Sequence, residues 1–559
     1  MRFLIRATDL LYDLYIFLRN LVISLFGPRP VYVLLELSGP YPEHRARRRW
    51  RIQSPQSLDD LRDQLDLIAA NEHAAGVVIT AHALETGFAT IQGIRTALQA
   101  FRNRGKRVIA YLPQANTRLY YLASAADTIV MPEAGILDLV GLQVGVTFLK
   151  EALDRIGVVG EFAQIAEYKG AAEPFTRRTM SEPMRDSLNA ILDSVFEDVL
   201  THIAAARRLD PPALRVLMDQ APLSAREALE AGLLDAVCFE DELPRFLHLK
   251  RQRVPVILPW PLARKRLRKP FRWRTPGQAI ALIGVRGAIH MGESRTPPPL
   301  PIPVLGGAST GHATVARALR AVERNPLFGA IILSIDSPGG SALASELIWR
   351  EVDRVKRVKP IVAYMSNVAG SGGYYVAAGC TRIVAQSATL TGSIGVVSGK
   401  FTVRGLAARV GISRETLVRG EAAAMTSPFT PFSPEERRRL HKQMDEIYNR
   451  FVHRVAAGRQ LAREDVAAAA RGRVWTGRQA LELGLIDRLG DFSAAVIAAK
   501  ELMGVPASRG VAVVQIRPPR NVPVRGPGLL AELGDLWTGL TTLLEERVLT
   551  LMPWEIWLR

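Results

Sequence analysis

The chain has 559 residues, 48% of them hydrophobic and 23% charged, which excludes global disorder because the apolar content is ample for a core. A formal net charge of +18 at pH 7 predicts anionic company, either nucleic acid or an anionic membrane surface, and the sum alone does not choose. Two cysteines, Cys238 and Cys380, exclude a disulfide framework or a cysteine-rich zinc site and read as small buried apolar residues.

The chain opens MRFLIRATDLLYDLYIFLRNLVISLF. A membrane-spanning helix needs about 20 mostly apolar residues, and Asp9, Asp13 and Arg19 interrupt this run. Each charge near mid-bilayer costs roughly 2.5–3.5 kcal/mol. Arg2, Arg6, Asp9, Asp13 and Asn20 share one helical stripe and leave a wide apolar face. Residues 1–28 are therefore expected to form an interfacial amphipathic helix, with a membrane anchor as the alternative. No small-residue cleavage site follows, so a removable signal peptide is not expected. Arg45, Arg47, Arg48, Arg49 and Arg51 then cluster beside Trp50. From Lys250 to Arg274 there are ten Lys or Arg and no acid, with Trp260, Phe271 and Trp273 interleaved. Such a mixture suits a phosphate-rich surface and marks residues 250–277 as a basic linker. The last stretch, Leu529–Arg559, is rich in leucine and carries Trp537, Trp554 and Trp557. It reads as a packed amphipathic helix or a membrane contact.

The chain repeats itself. VYVLLELSG at Val31–Gly39 returns as AIALIGVRG at Ala279–Gly287, an offset of 248. GVVIT at Gly76–Thr80 returns as GAIIL at Gly329–Leu333, an offset of 253. YYLASAADTIV at Tyr120–Val130 matches YYVAAGCTRIV at Tyr374–Val384, and ALEAGLLD at Ala228–Asp235 matches ALELGLID at Ala480–Asp487, with offsets of 254 and 252. Two copies of one domain are therefore expected, over residues 29–249 and 278–505, followed by a strand and a Leu/Trp-rich tail over 506–559. Within the second copy, Gly329–Ser334, Pro360–Met365 and Arg382–Ala385 read as buried strands. Ser341–Val358, Tyr374–Gly379 and Pro434–Ala457 read as helices. This alternation predicts an α/β fold with a largely parallel sheet. TPPPLPIP at Thr296–Pro303 cannot continue a strand and reads as an exposed loop.

Duplication supplies an internal control, because features needed only for folding should appear twice. The second copy has NVAGSGGYY, with Ser371 in a glycine-flanked strand-to-helix turn. The first has PQANTRLYY, with Thr117 opposite Ser371 and no glycine. The second has SIDSPGGS at Ser334–Ser341, where the first has TAHALETG at Thr80–Gly87. Glycines around a serine allow close approach of a substrate backbone and leave amides near a helix start to hold an oxyanion. Loops after successive parallel strands emerge on one sheet edge, where α/β folds bind ligands. No GK[ST] follows either glycine run, and no histidine pair has metal-ligand spacing, so neither a cofactor nor a metal is expected.

A nucleophilic Ser371 needs a base. His312, His441 and His453 have no placement visible in the sequence. Lysine is the other candidate. AEYKGAAEPF in the first copy carries Lys169, and the offset of 254 puts Ala423 opposite it. One copy thus holds the serine and the other the lysine.

GSGGYY at Gly370–Tyr375, TLTGSIGV at Thr389–Val396, DSPGGS at Asp336–Ser341 and YKGAAEPF at Tyr168–Phe175 together resemble the long-form SppA-type signal peptide peptidases, or protease IV, over roughly Val31–Leu502. The resemblance implies two tandem ClpP/crotonase-like α/β domains, a Ser371 nucleophile, a Lys169 general base and Ser393 orienting the lysine. Leu139 stands opposite Ser393 in the first copy. Backbone amides of Gly339 or Gly340 and of Gly372 would hold the oxyanion. A lysine acts as base only when neutral, so Lys169 must be desolvated; lowering its pKa by about three units costs roughly 4 kcal/mol.

The expected activity is that of a membrane-associated serine endopeptidase of the bacterial inner membrane, acting on remnant signal peptides and short unfolded apolar peptides. The resemblance further implies a homo-oligomer, a tetramer being favoured, and contact with membrane lipids. A crotonase-type acyl-CoA enzyme and a catalytically inactive membrane scaffold are the alternatives. Nucleic acid is not an expected partner.

Overall fold

A computed structural model describes residues 14–21, 31–45, 55–248, 254–269, 277–295, 308–516 and 549–551. Most of the Arg45–Arg51 cluster, both ends of the basic linker, the Thr296–Pro303 loop, most of the N-terminal helix and nearly all of the Leu/Trp-rich tail lie outside the described residues. Among the described residues no helix is long and apolar enough to cross a membrane.

The chain divides into two compact units, one of residues 1–143 and 196–276 with the last two residues, the other of 144–195 and 277–557. The first unit is built on a parallel sheet of six strands in the order Val256–Pro259, Val31–Pro40, Ala74–Glu85, Arg107–Tyr111, Thr128–Met131 and Ala236–Val237. In the second unit, Val513–Gln515, Ala279–Arg286, Phe328–Ser337, Ile361–Gly370, Arg382–Ala385 and Arg488–Leu489 pair in the same order, again all parallel. The duplication read from the sequence is thus a duplication of architecture.

Parallel strands covered on both faces need unbroken apolar runs. Ile331, Ile332, Leu333 and Ile335 are accordingly all fully buried. The helices follow from their caps. Ser341 Oγ accepts the Ala344 amide to start Ala342–Val355, and Ser433 and Glu436 form a reciprocal capping box at the start of Pro434–Arg459. Ile348, Trp349, Val352 and Val355 turn one helix face into the core.

Strand Ile361–Gly370 runs past the main sheet and pairs in parallel with Leu390–Gly392, which pairs antiparallel with Val474–Thr476. The first unit has a separate small sheet in this place in the chain, Gln114–Asn116, Ile136–Asp138 and Leu223–Ser224. A further sheet of the second unit takes Val159–Ile165 into an antiparallel ladder with Val396–Thr402, from Ile165 opposite Val396 to Val159 opposite Thr402. By sequence this strand belongs to the first copy; by packing it belongs to the second unit.

Both cysteines lie apart from disulfides. Cys380 is buried, and burial pushes its thiol up to about 12. Cys238, expected to be buried, is only half-buried, and its partial burial raises its thiol.

Candidate active site

Strand Ile361–Gly370 ends at Ser371, and helix Gly372–Ala377 begins at the next residue. The turn is sharp: Ser371 has φ 52° and ψ −112°, a conformation that costs a non-glycine residue about 1–3 kcal/mol. Its amide donates to the Gly392 carbonyl at 2.7 Å, and its carbonyl accepts the Tyr375 amide at 2.8 Å, so both sides of the turn are fixed. Gly373 is required by space. A Cβ there would stand 2.8 Å from the Ser337 carbonyl oxygen.

Lys169 is brought to this turn by the segment after strand Val159–Ile165. Ala166 takes φ 85°, the Lys169 amide donates back to the Ala166 carbonyl at 3.1 Å, and the Tyr168 amide donates to the Arg471 carbonyl at 3.0 Å. Behind Lys169 the Glu173 carboxylate accepts both the amide (3.0 Å) and the hydroxyl (2.6 Å) of Ser181, bracing the EPF corner. Ser393 follows the Leu390–Gly392 strand with φ 52°, and its amide donates to the Arg473 carbonyl at 2.7 Å.

Three predicted residues therefore meet within one unit. Lys169 Nζ lies 2.7 Å from Ser371 Oγ, 2.7 Å from the Ser393 carbonyl oxygen and 2.9 Å from Ser393 Oγ. All three side chains are fully buried. Burial pushes the Lys169 ammonium well below the ordinary lysine range, desolvation being the cause. A neutral amine has two N–H donors and one lone pair. The Ser393 oxygens can accept the two donors while the lone pair receives the Ser371 hydroxyl, so the geometry suits a neutral lysine.

The three predicted oxyanion glycines divide. Gly339 and Gly340 form strand Gly339–Ser341, with φ of 104° and 155° that only glycine adopts without strain. The Gly339 amide already donates to Ser337 Oγ at 3.2 Å. Gly340 pairs with Ile289, whose carbonyl oxygen would lie 2.0 Å from an added Cβ. Gly372 directly follows Ser371 and occupies a first helical position, whose amide has no intrahelical carbonyl to bond. The Thr117 hydroxyl of the first unit, at the position matching Ser371, accepts the Gly141 amide at 3.1 Å. His312 lies elsewhere, accepting the Gly292 amide at Nδ1.

Sequence reasoning missed the residues that wall in the lysine. A Cβ on Gly472, which has φ 78°, would stand 2.5 Å from the Lys169 amide nitrogen, and one on Gly395 would stand 3.0 Å from Lys169 Cδ. Arg473 stacks over both Tyr168 and Trp475 beside them. The glycine of TGSIG was on view in the sequence as a motif; Gly472 carried no local signal.

The profile of Peptidase family S49 matches residues 100–252 and 353–506, one stretch in each copy. The chain is 31% identical to "Serine protease SPPA, chloroplastic" of Arabidopsis thaliana over 89% of this chain and 74% of that protein. It is 30% identical to "Protease 4" of Haemophilus influenzae and 31% identical to "Protease 4" of Salmonella typhi, in each case over 73% of this chain and 66% of the relative. Among solved structures, the "1510-N membrane-bound stomatin-specific protease S97A mutant" aligns over 44% of this chain and 100% of its own, at 15% identity and a TM-score of 0.28. On the family profile and these relatives, the chain belongs to Peptidase family S49, as a serine protease with an internal repeat.

Proposed function

We propose that this serine protease works through a Ser371–Lys169 dyad, with Ser393 orienting the lysine. The observation that carries the reading is a fully buried lysine amine 2.7 Å from a serine hydroxyl at a strained strand-to-helix turn. In this reading neutral Lys169 takes the Ser371 proton as Oγ attacks the peptide carbonyl carbon. Amides of Gly339 or Gly340 and of Gly372 hold the tetrahedral oxyanion. The lysine then returns its proton to the departing amine, leaving an acyl-enzyme. Water, deprotonated by the same lysine, hydrolyses that ester.

The substrates in this reading are remnant signal peptides and short unfolded apolar peptides, bound in extended form. The enzyme would assemble as a homo-oligomer, a tetramer by resemblance. Membrane association is supported by the helix over residues 14–21. Ile16 is buried, the Arg19 guanidinium donates to the carbonyls of Leu267, Lys265 and Arg264 at 2.9–3.2 Å, and Asn20 exchanges hydrogen bonds with Lys269. Leu14, Tyr15, Phe17 and Leu18 are each more than half exposed. Arg19 and Asn20 thus turn inward with Ile16, while Leu14, Tyr15, Phe17 and Leu18 face outward, and Arg264, Lys265 and Arg266 are exposed as well. Apolar residues flanked by cations fit the surface of a bacterial inner membrane.

The test is cleavage of an unstructured leucine-rich peptide by the full chain, compared with Ser371→Ala and Lys169→Ala. Loss in both variants supports the dyad. Activity surviving Lys169→Ala would place the base elsewhere. A folded, vesicle-binding protein inactive in every form would favour the scaffold alternative.

A further inference from the structure

In the first unit, the place that corresponds to the serine turn of the second is open. A cavity of about 660 Å³ lies there, towards the carboxyl ends of strands Val31–Pro40, Ala74–Glu85 and Arg107–Tyr111 and beside strands Gln114–Asn116 and Ile136–Asp138. This is the sheet edge on which α/β folds bind ligands. The duplication explains the opening. Leu119 lines the cavity and, at the offset of 254, stands where the second unit has Gly373; Ala83 likewise stands where it has Ser337. In the second unit a Cβ on Gly373 would lie 2.8 Å from the Ser337 carbonyl oxygen, so the turn and the neighbouring strand close on each other. A leucine in the glycine's place does not fit such a contact, and in the first unit the two elements part around a cavity. Two more glycine positions become polar here, since Asn116 pairs with Asp138 as Gly370 pairs with Gly392.

We propose that this cavity binds a basic side chain, an ammonium or guanidinium on an aliphatic stem, presented by a peptide substrate. The proposal rests on the peptide-substrate reading above and adds a second feature by which that substrate is recognised. The lining chooses the ligand. Leu34, Tyr111 and Leu119 supply apolar surface for a stem, while Glu36, Asp138 and Glu240 supply carboxylates from three separate segments. No lysine or arginine lines the cavity, in a chain of net charge +18. Asp138 accepts the Gln114 side-chain amide at 3.0 Å and keeps lone pairs for a further donor. An anion would meet three carboxylates with no cation to offset them. A wholly apolar ligand would strip water from those carboxylates and give nothing back. A cation on an apolar stem satisfies both kinds of wall at once. A peptide with lysine or arginine beside its apolar stretch carries that group.

The experiment measures binding by fluorescence anisotropy to the full chain carrying Ser371→Ala. Two labelled peptides share one leucine-rich sequence, one preceded by three lysines and the other by three glutamines. The lysine peptide should bind at least about 5-fold tighter, each partly exposed ion pair contributing a modest share. Glu36→Gln/Asp138→Asn/Glu240→Gln should abolish that ratio. So should Gln114→Trp, which fills the cavity without changing its charge. Asp66→Asn/Glu72→Gln/Glu230→Gln removes as many exposed carboxylates outside the cavity and should keep the ratio within about 2-fold of its starting value. No preference for lysine with the native lining, or a preference that survives either cavity variant, overturns the proposal. Displacement of the lysine peptide by an equal concentration of pentane-1,5-diamine would make a free amine the ligand and overturn the peptide as its source. Lysine preference in a chain that, with Ser371 restored, cleaves neither peptide would uphold the cavity while removing the peptidase reading.

Discussion

Lys169 and Ser371 stand 202 positions apart in the chain and 2.7 Å apart in space, and burial pushes the lysine ammonium well below its ordinary range. Replacing Lys169 by Met, similar in length and apolar, should keep the fold and lower kcat on a leucine-rich peptide at least about 10³-fold, general bases being worth roughly 10²–10⁴. Lys169→Arg should be equally inactive, because a guanidinium does not give up its proton. An active arginine variant would mean that charge, not basicity, is what the site needs. Steady-state kinetics with a circular-dichroism check of folding decides it.

The depressed Lys169 pKa also fixes the sign of two pH dependences. The base works when neutral, so kcat/KM should rise with pH through the lowered native value and then level off. Unfolded lysine titrates near 10.4. Between the native value and that one the unfolded state holds more protons, so stability should increase with pH, by up to about 1.4 kcal/mol per unit. Below the native value this contribution is lost. Lys169→Met should lack the slope, which urea midpoints at pH 6 to 10 would measure; an unchanged slope would show that the native lysine is not depressed.

Ser393 touches Nζ through its hydroxyl and through its carbonyl. Ser393→Ala removes only the first, so kcat should drop about 10–100-fold with KM nearly constant, less than the loss from a missing base. A KM effect alone would make Ser393 a substrate-binding residue.

Two glycines wall in the lysine. Gly472→Ala sets a methyl against the Lys169 backbone at a positive φ, so it should cost about 1–3 kcal/mol and most of the activity. At Gly395 an added methyl stands 3.0 Å from both the Gly472 backbone Cα and Lys169 Cδ. Gly395→Ala should move the amine and cut kcat, and should lower the melting temperature less than Gly472→Ala because it adds no left-handed strain. Thermal melts paired with turnover would read both.

Leu14, Phe17 and Leu18 share the exposed side of the 14–21 helix. Replacing all three by Ser should weaken sedimentation with anionic vesicles about 10-fold or more and leave cleavage of a soluble peptide unchanged. Raising salt should weaken the remaining binding, since the neighbouring cations are exposed. Vesicle binding equal to the native chain would remove this helix from the membrane contact.

The architecture was legible because each copy repeats its braces. Tyr120 donates its hydroxyl to the Leu233 carbonyl and Tyr374 to that of Leu485, while Asp235 accepts Ile129 N–H and Asp487 accepts Ile383 N–H. These pairs lie in the segments that align at a near-constant offset. Ser371 stood out by the converse, a glycine context present in one copy only. Lys169 was a different matter: spacing showed that its counterpart is Ala423, and the role proposed for it came from resemblance. The packing of Gly472 on Lys169 was invisible, because contacts between distant segments leave no periodic trace in either one.

The allegiance of residues 144–195 has a practical consequence. A cut anywhere in the basic linker, the obvious boundary between the copies, would yield one fragment holding Lys169 and another holding Ser371. Neither half would contain both residues of the proposed dyad, so activity should return only on reassembly. If the dyad reading holds, the two sequence copies are for the chemistry halves of one site, suited to split-enzyme complementation.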